Sequence, residues 1–221
     1  MKVIYRVLTI LSIALFLVTL PSGSSADEIP KADLPLLTTS AGQSADIYTV
    51  NVILEQAGVK YDYCDVPTVE MIKSGVGLGG AKSKEGFHVE IKTDLEKYKT
   101  GTPYKTIIFA IGASLKGMGA SGLTVEDELK RLSNLIKYCK KNNIFIIAIH
   151  AGGESKRGAP GSDNEKMIDA VAPFADYIIV IEDSNKDGRF TKIANENKIK
   201  FTQVKYALNM VDLLKKVFES K

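Results

Sequence analysis

Apolar positions along the chain follow two rhythms that take turns. Continuous runs mark strands buried on both faces: Thr106–Ile111, Ile144–Ile149 closing on His150, and Tyr177–Ile181. Leu34–Thr39 gives a first strand, Val59–Cys64 alternates apolar and polar residues, and Ile199–Val204 is a weaker last strand. Between these runs the spacing becomes helical. Ile47, Val50, Ile53 and Leu54 share a face, and Gly58 stops that helix. Leu129, Leu132, Leu135 and Ile136 form a second, ending near Asn142-Asn143. Met167, Ile168 and Val171 lead to Pro173, another helix runs through Ile193 and Ala194, and Val211, Leu214, Val217 and Phe218 close the chain. Thr124 before Glu126-Asp127-Glu128 reads as an N-cap with acids in the first turn, and Ser162 to Glu165 has capping-box spacing.

Strands that alternate with helices predict parallel β-α-β units. The expected class is α/β: a three-layer doubly wound sheet, mostly parallel, of about six strands. Residues 65–104 read as a long crossover containing a short helix at Val69, Met71 and Ile72, a glycine-rich loop, and a small edge strand at Phe87–Ile91. A crossover of that length favours the flavodoxin-like order 2-1-3-4-5-6, with the Rossmann-like order 3-2-1-4-5-6 as the alternative. Either order sends the loops after the strands to one edge, where ligands bind in this architecture.

The first residues change the picture of destination. Lys2 and Arg6 precede an apolar run, Val7–Leu20, and small residues follow at Ser24 and Ala26. That pattern predicts a secretory signal peptide over residues 1–26, a polar lead-in over 27–33, and one α/β domain over 34–221. The apolar run is roughly two-thirds of the ~20 residues a membrane span needs. The predicted location is periplasmic or extracellular. The formal charge is +3, and removing Lys2 and Arg6 leaves it near +1. Such a balance predicts neither a nucleic-acid partner nor a membrane surface. Cys64 and Cys139 fall at the ends of different elements and are expected to be separate buried thiols.

Candidate chemistry gathers in the predicted loops. Thr106–Gly122 runs from a buried strand through a glycine-rich stretch to a helix start, a geometry suited to anions. Its Gly117-Met-Gly-Ala-Ser-Gly122 fits G-x-G-x-x-G but begins five residues past Gly112, so a dinucleotide is not expected and no cofactor is predicted. Ser114 nearly completes a nucleophile elbow, but Lys116 replaces the last glycine; the other reading is a cap hydroxyl. His150 ends a buried strand and reads as a base, a ligand contact or a packing residue. Arg157 can clamp a carboxylate or phosphate, and its other reading is a solvated charged loop with Glu154 and Lys156. Asp183-Ser-Asn185-Lys-Asp187-Gly188 matches half of a calcium loop, but Ala194 stands where a bidentate carboxylate is needed, so no metal is predicted.

Ser40-Ala-Gly-Gln-Ser44, Gly112-Ala-Ser-Leu-Lys-Gly117, Gly119–Leu129, His150 with Gly152-Gly153 and Arg157, and Asn185-Lys-Asp-Gly188 with Phe190-Thr191 also carry a resemblance. Across nearly the whole mature chain they resemble an exported bacterial family of single-domain, Rossmann-like α/β proteins of unknown function. The resemblance implies an α/β domain outside the cytoplasm and supplies no reaction.

The reading that leads is an exported module binding a small anionic ligand at the strand C-terminal edge. Its donors would be Ser40, Gln43, Ser44, Ser114, Lys116, His150, Arg157 and Asn185. The alternatives are a serine hydrolase using Ser114 and His150, and a non-catalytic partner-binding or structural protein.

Overall fold

The computed structural model describes residues 29–219; the expected leader, residues 1–26, lies outside them. Seven strands form one sheet: β1 (Leu36–Ala41), β2 (Asp62–Cys64), β3 (Val89–Ile91), β4 (Thr106–Ile111), β5 (Phe145–His150), β6 (Tyr177–Ile181) and β7 (Lys200–Val204). Their order is β3-β2-β1-β4-β5-β6-β7. Every pairing is parallel except β2 with β3, which run antiparallel. The six parallel strands therefore take the flavodoxin-like order. The seventh is the small edge strand inside the crossover.

The period of two decides what each central strand buries. In β4, Ile107, Phe109 and Ile111 face one core layer, and Ile108 and Ala110 face the other. The first layer is closed by α4 (Val125–Lys141), α5 (Asp163–Val171) and α6 (Arg189–Asn197). The second is closed by α1 (Asp46–Gln56) and α7 (Met210–Phe218). Helices on both faces explain why these strands lack polar alternation. Among the described residues, no helix is long and apolar enough to cross a membrane.

Several boundaries moved for local reasons. β1 begins at Leu36 because Pro35 has no N–H for the ladder, and it continues through Ser40 to Ala41. Thr124 caps α4 in a reciprocal box with Asp127. Ser162 precedes α5, but its box does not form, because Arg157 and the Gly158 N–H draw the Glu165 carboxylate away. Cys64 and Cys139 are unpaired and buried, and burial pushes both thiols up to about 12, so neither is a thiolate at neutral pH.

Beside its buried apolar residues Ile72, Val76, Leu78 and Tyr104, the crossover is tied together by one carboxylate. Asp62, fully buried in β2, accepts from Gly77 N at 2.8 Å, Thr93 N at 3.2 Å and Tyr104 Oη at 2.6 Å. Those donors span most of the crossover, which includes α2 (Val69–Lys73). The glycine-rich stretch after β4 also differs from the expected open loop. It folds as a short helix, α3 (Leu115–Ala120), with Ser114 as its N-cap.

Candidate functional site

The chain leaves β1 toward α1 and β2 on one side, and leaves β4 toward β5 on the other. Between the ends of β1 and β4 lies the switch point of the sheet, where doubly wound folds open a crevice. A cleft of about 440 Å³ occupies that place, within the range of small-molecule sites. Ser40, Gln43, Ser44, Ser114 and Lys116, all expected from the sequence, line it.

Glycines let the walls come together. A Cβ at Gly117 would drive into the Gln43 carbonyl oxygen, and one at Gly86 into the Ala120 carbonyl oxygen. Gly117, the first glycine of the string, therefore serves backbone-to-backbone packing of α3 on the Gln43 loop. A tight turn joins Lys84 and Phe87 through mutual backbone bonds of 2.8 and 2.9 Å, and places Lys84, Phe87 and His88 on the wall.

Much of the polar lining is already engaged. Ser40 Oγ accepts from Ser44 N at 3.1 Å, and Ser44 Oγ donates to Asp46 Oδ2 at 2.8 Å. Gln43 Nε2 donates to the Asp65 carbonyl at 3.0 Å and to Glu128 Oε1 at 3.3 Å. Glu128, fully buried in α4, also accepts from Gly42 N at 2.8 Å and pairs with Arg131 at 2.7 Å. Ser114 Oγ accepts from Gly117 N at 3.0 Å, which leaves its hydroxyl hydrogen to donate. The helix N-termini expected to attract an anion are answered from within the chain: Asp46 sits in the first turn of α1, and Asp127 completes the capping box of α4. What remains is charge on side chains. Lys84 and Lys116 are exposed in the cleft, and neither has an acidic partner within 4.0 Å among the described residues.

A family model described as a domain of unknown function, DUF6305, matches residues 33–218. The chain belongs to this family. No curated protein and no solved structure matches the chain.

In this DUF6305 domain, His150, Arg157 and Asn185 reach the same sheet edge but form a separate cluster away from the cleft. His150 is fully buried. Its Nε2 lies 3.1 Å from the Lys156 carbonyl, which can only accept, so Nε2 carries the hydrogen. Its Nδ1 takes the Ser184 hydroxyl at 2.7 Å. Burial is the main cause that holds its pKa below the ordinary histidine value. Both ring nitrogens are thus occupied, and neither is joined to Ser114. The residues named for a serine hydrolase are not assembled as a pair.

Arg157 is likewise committed, contrary to its expected place on a free loop. Nε donates to Glu165 Oε1 at 2.7 Å, Nη1 to the Ser184 carbonyl at 2.6 Å, and Nη2 to Asp187 Oδ2 at 2.7 Å. Its guanidinium also lies 5.5 Å from the centre of the Phe190 ring. Asn185 Oδ1 accepts from Phe190 N at 2.9 Å, and its Nδ2 donates to Thr191 and Gln203, each at 2.8 Å. It fixes the start of α6. Asp187 is held by Arg157, and Asp183 by Lys186 at 2.5 Å and Glu154 N at 2.9 Å. Among the described residues, no group of three or more His, Cys, Asp or Glu could hold a metal ion.

Sequence reasoning missed Tyr48, Tyr63, Asp65, Lys84 and Phe87 as cleft residues. The available signal was the edge strand: a strand beside β2 brings the preceding turn against the ends of β2 and β1.

Proposed function

We propose that the domain binds a small ligand through an anionic group in the cleft between β1 and β4. The observation that carries this reading is the pair of exposed lysines, Lys84 and Lys116, which face the switch-point cleft without acidic partners among the described residues. Ser114 supplies a hydroxyl hydrogen beside them, and Tyr48 and Phe87 supply apolar surface. His150, Arg157 and Asn185, whose polar atoms serve the fold, are left out of the ligand shell.

The domain acts outside the cytoplasm in this reading. Support comes from Lys2 and Arg6 ahead of Val7–Leu20 and from the small residues at Ser24 and Ala26. Intact-mass measurement of exported protein is expected to give an N-terminus at Asp27.

Binding is tested by thermal shift of the purified protein against carboxylates, phosphates, sugars and divalent ions. A ligand that binds only the native state raises its melting temperature. At least one carboxylate or phosphate is expected to do so, and Lys116→Ala is expected to weaken that binder about tenfold. An anion panel without a stabilising member, or a binder indifferent to both Lys116→Ala and Lys84→Ala, overturns the reading.

A further inference from the structure

The cleft holds one more charged group, and it is of the opposite sign. Asp65 follows β2 and lines the cleft with Lys84 and Lys116, yet no cation lies within 4.0 Å of its carboxylate among the described residues. Oδ1 accepts from the adjacent Val66 N at 2.8 Å. The backbone beneath is fixed on both sides: Asp65 N donates to the His88 carbonyl at 3.1 Å, and the Asp65 carbonyl accepts from Thr39 Oγ1 at 3.2 Å and Gln43 Nε2 at 3.0 Å. The carboxylate is therefore pre-positioned in a part-buried place, favoured by the backbone of Val66 and His88 and by the His88 imidazole but with no ion-pair partner within 4.0 Å among the described residues. Burial accordingly raises its pKa above the usual carboxylate value.

A carboxylate and two ammonium groups that share a cleft without pairing have their charges available to a third party. Tyr48 and Phe87 add aromatic surface to the same lining, which also carries serines and Gln43. The rings of Tyr48 and Tyr63 meet edge to face at 6.2 Å, and Tyr63 lies 5.6 Å from His88.

We propose that the ligand is a small zwitterion with an apolar body, of the α-amino-acid class. Its ammonium group meets Asp65, its carboxylate meets Lys116 and Lys84, and its side chain lies on Tyr48 and Phe87. This rests on the anionic-group reading above and adds the cationic half of the ligand. It gives Asp65 a hydrogen-bonded counter-ion, the arrangement that makes a part-buried carboxylate favourable.

Three probes separate the two readings: L-phenylalanine, 3-phenylpropionate, which lacks the ammonium group, and 2-phenylethylamine, which lacks the carboxylate. Each is titrated calorimetrically into the purified protein and into Asp65→Asn and Lys116→Ala. Phenylalanine is expected to bind at least tenfold more tightly than either singly charged probe. Asp65→Asn is expected to remove that preference while keeping or improving 3-phenylpropionate binding, and Lys116→Ala to weaken both acids. Melting curves of the variants establish that they are folded. If 3-phenylpropionate binds as well as phenylalanine, and through Lys116, the zwitterion is wrong and the anionic-group reading stands. If Asp65→Asn leaves phenylalanine binding unchanged, the zwitterion is also wrong. If none of the three binds at millimolar concentration the zwitterion falls, and the wider anion panel decides the other reading separately.

Discussion

Arg157 grips Asp187 with a two-pronged fork, Nη1 on Oδ1 at 2.9 Å and Nη2 on Oδ2 at 2.7 Å, across thirty residues of chain. The same guanidinium holds Glu165, whose side chain is 2% exposed. Arg157→Ala would leave that carboxylate with Arg189 as its remaining ion-pair partner at 2.9 Å. Breaking a buried pair from one side costs about 3–5 kcal/mol. We expect a loss of that order in chemical denaturation, with ligand affinity per folded molecule unchanged. Lys116→Ala is the contrast, with stability within about 0.5 kcal/mol of the wild type.

The glycines of α3 divide into two kinds. A Cβ at Gly117 would meet the Gln43 backbone, which cannot yield as a side-chain end can, whereas a Cβ at Gly119 meets nothing within 4 Å. Gly117→Ala is expected to destabilise by roughly 1–3 kcal/mol. Gly119→Ala is expected to stabilise by about 0.4–1 kcal/mol through the unfolded chain. Equilibrium unfolding of the two variants checks both signs.

His150 ties stability to pH. Its folded pKa lies below the unfolded value of about 6.5, chiefly through burial. Between the two values the unfolded chain binds the extra proton, so stability is fully present above about pH 6.5 and is lost as pH falls toward the folded value. His150→Gln is expected to be less stable at pH 7.5 and to show a shallower decline below pH 6.5. Melting temperatures across pH 5–8 test this.

Asp65 has the opposite sign. Its folded pKa is raised by burial, so the ionised form weakens the unliganded protein once pH exceeds the folded value. Asp65→Asn keeps the acceptor for Val66 N and removes the charge. We expect a melting temperature higher by about 1–3 °C at pH 7, and no difference at a pH low enough to protonate Asp65. The same substitution is expected to remove the proposed preference for phenylalanine over 3-phenylpropionate. A residue that costs stability and gains selectivity is expected at a working site.

Strand positions were legible because a parallel sheet covered on both faces needs unbroken apolar runs, and Ile107–Ile111 and Tyr177–Ile181 have no other use. The strand order followed from the length of the crossover. The interior of the crossover was harder, because Asp62 holds it through donors at residues 77, 93 and 104, and no period records such contacts. The candidate site was half legible. Arrival at the strand C-terminal edge follows from parallel topology alone, which is why all eight residues came there. Their roles depend on partners far away in sequence. Ser184, Glu165 and Asp187 turn Arg157 inward, and nothing in the local residues 150–160 announces it.

The way Asp62 holds the crossover has a consequence for how such domains diverge. Asp65, Lys84, Phe87 and His88 all belong to the segment between β2 and β4, whereas β1, β4, Glu128 and the Gln43 loop belong to the frame. The segment meets the frame through strand-edge bonds, the Asp62 carboxylate, and the buried side chains of Ile72, Val76, Leu78 and Tyr104, which join the core layer of Leu37 and Leu132. Only its turn at 84–88 is open to variation, because the apolar positions on either side are part of the core. Family members that keep Asp62 and those apolar positions but differ in the turn at 84–88 would present different cleft walls on the same frame, and chimeras spliced after Cys64 and before Thr106 test whether ligand preference follows the segment.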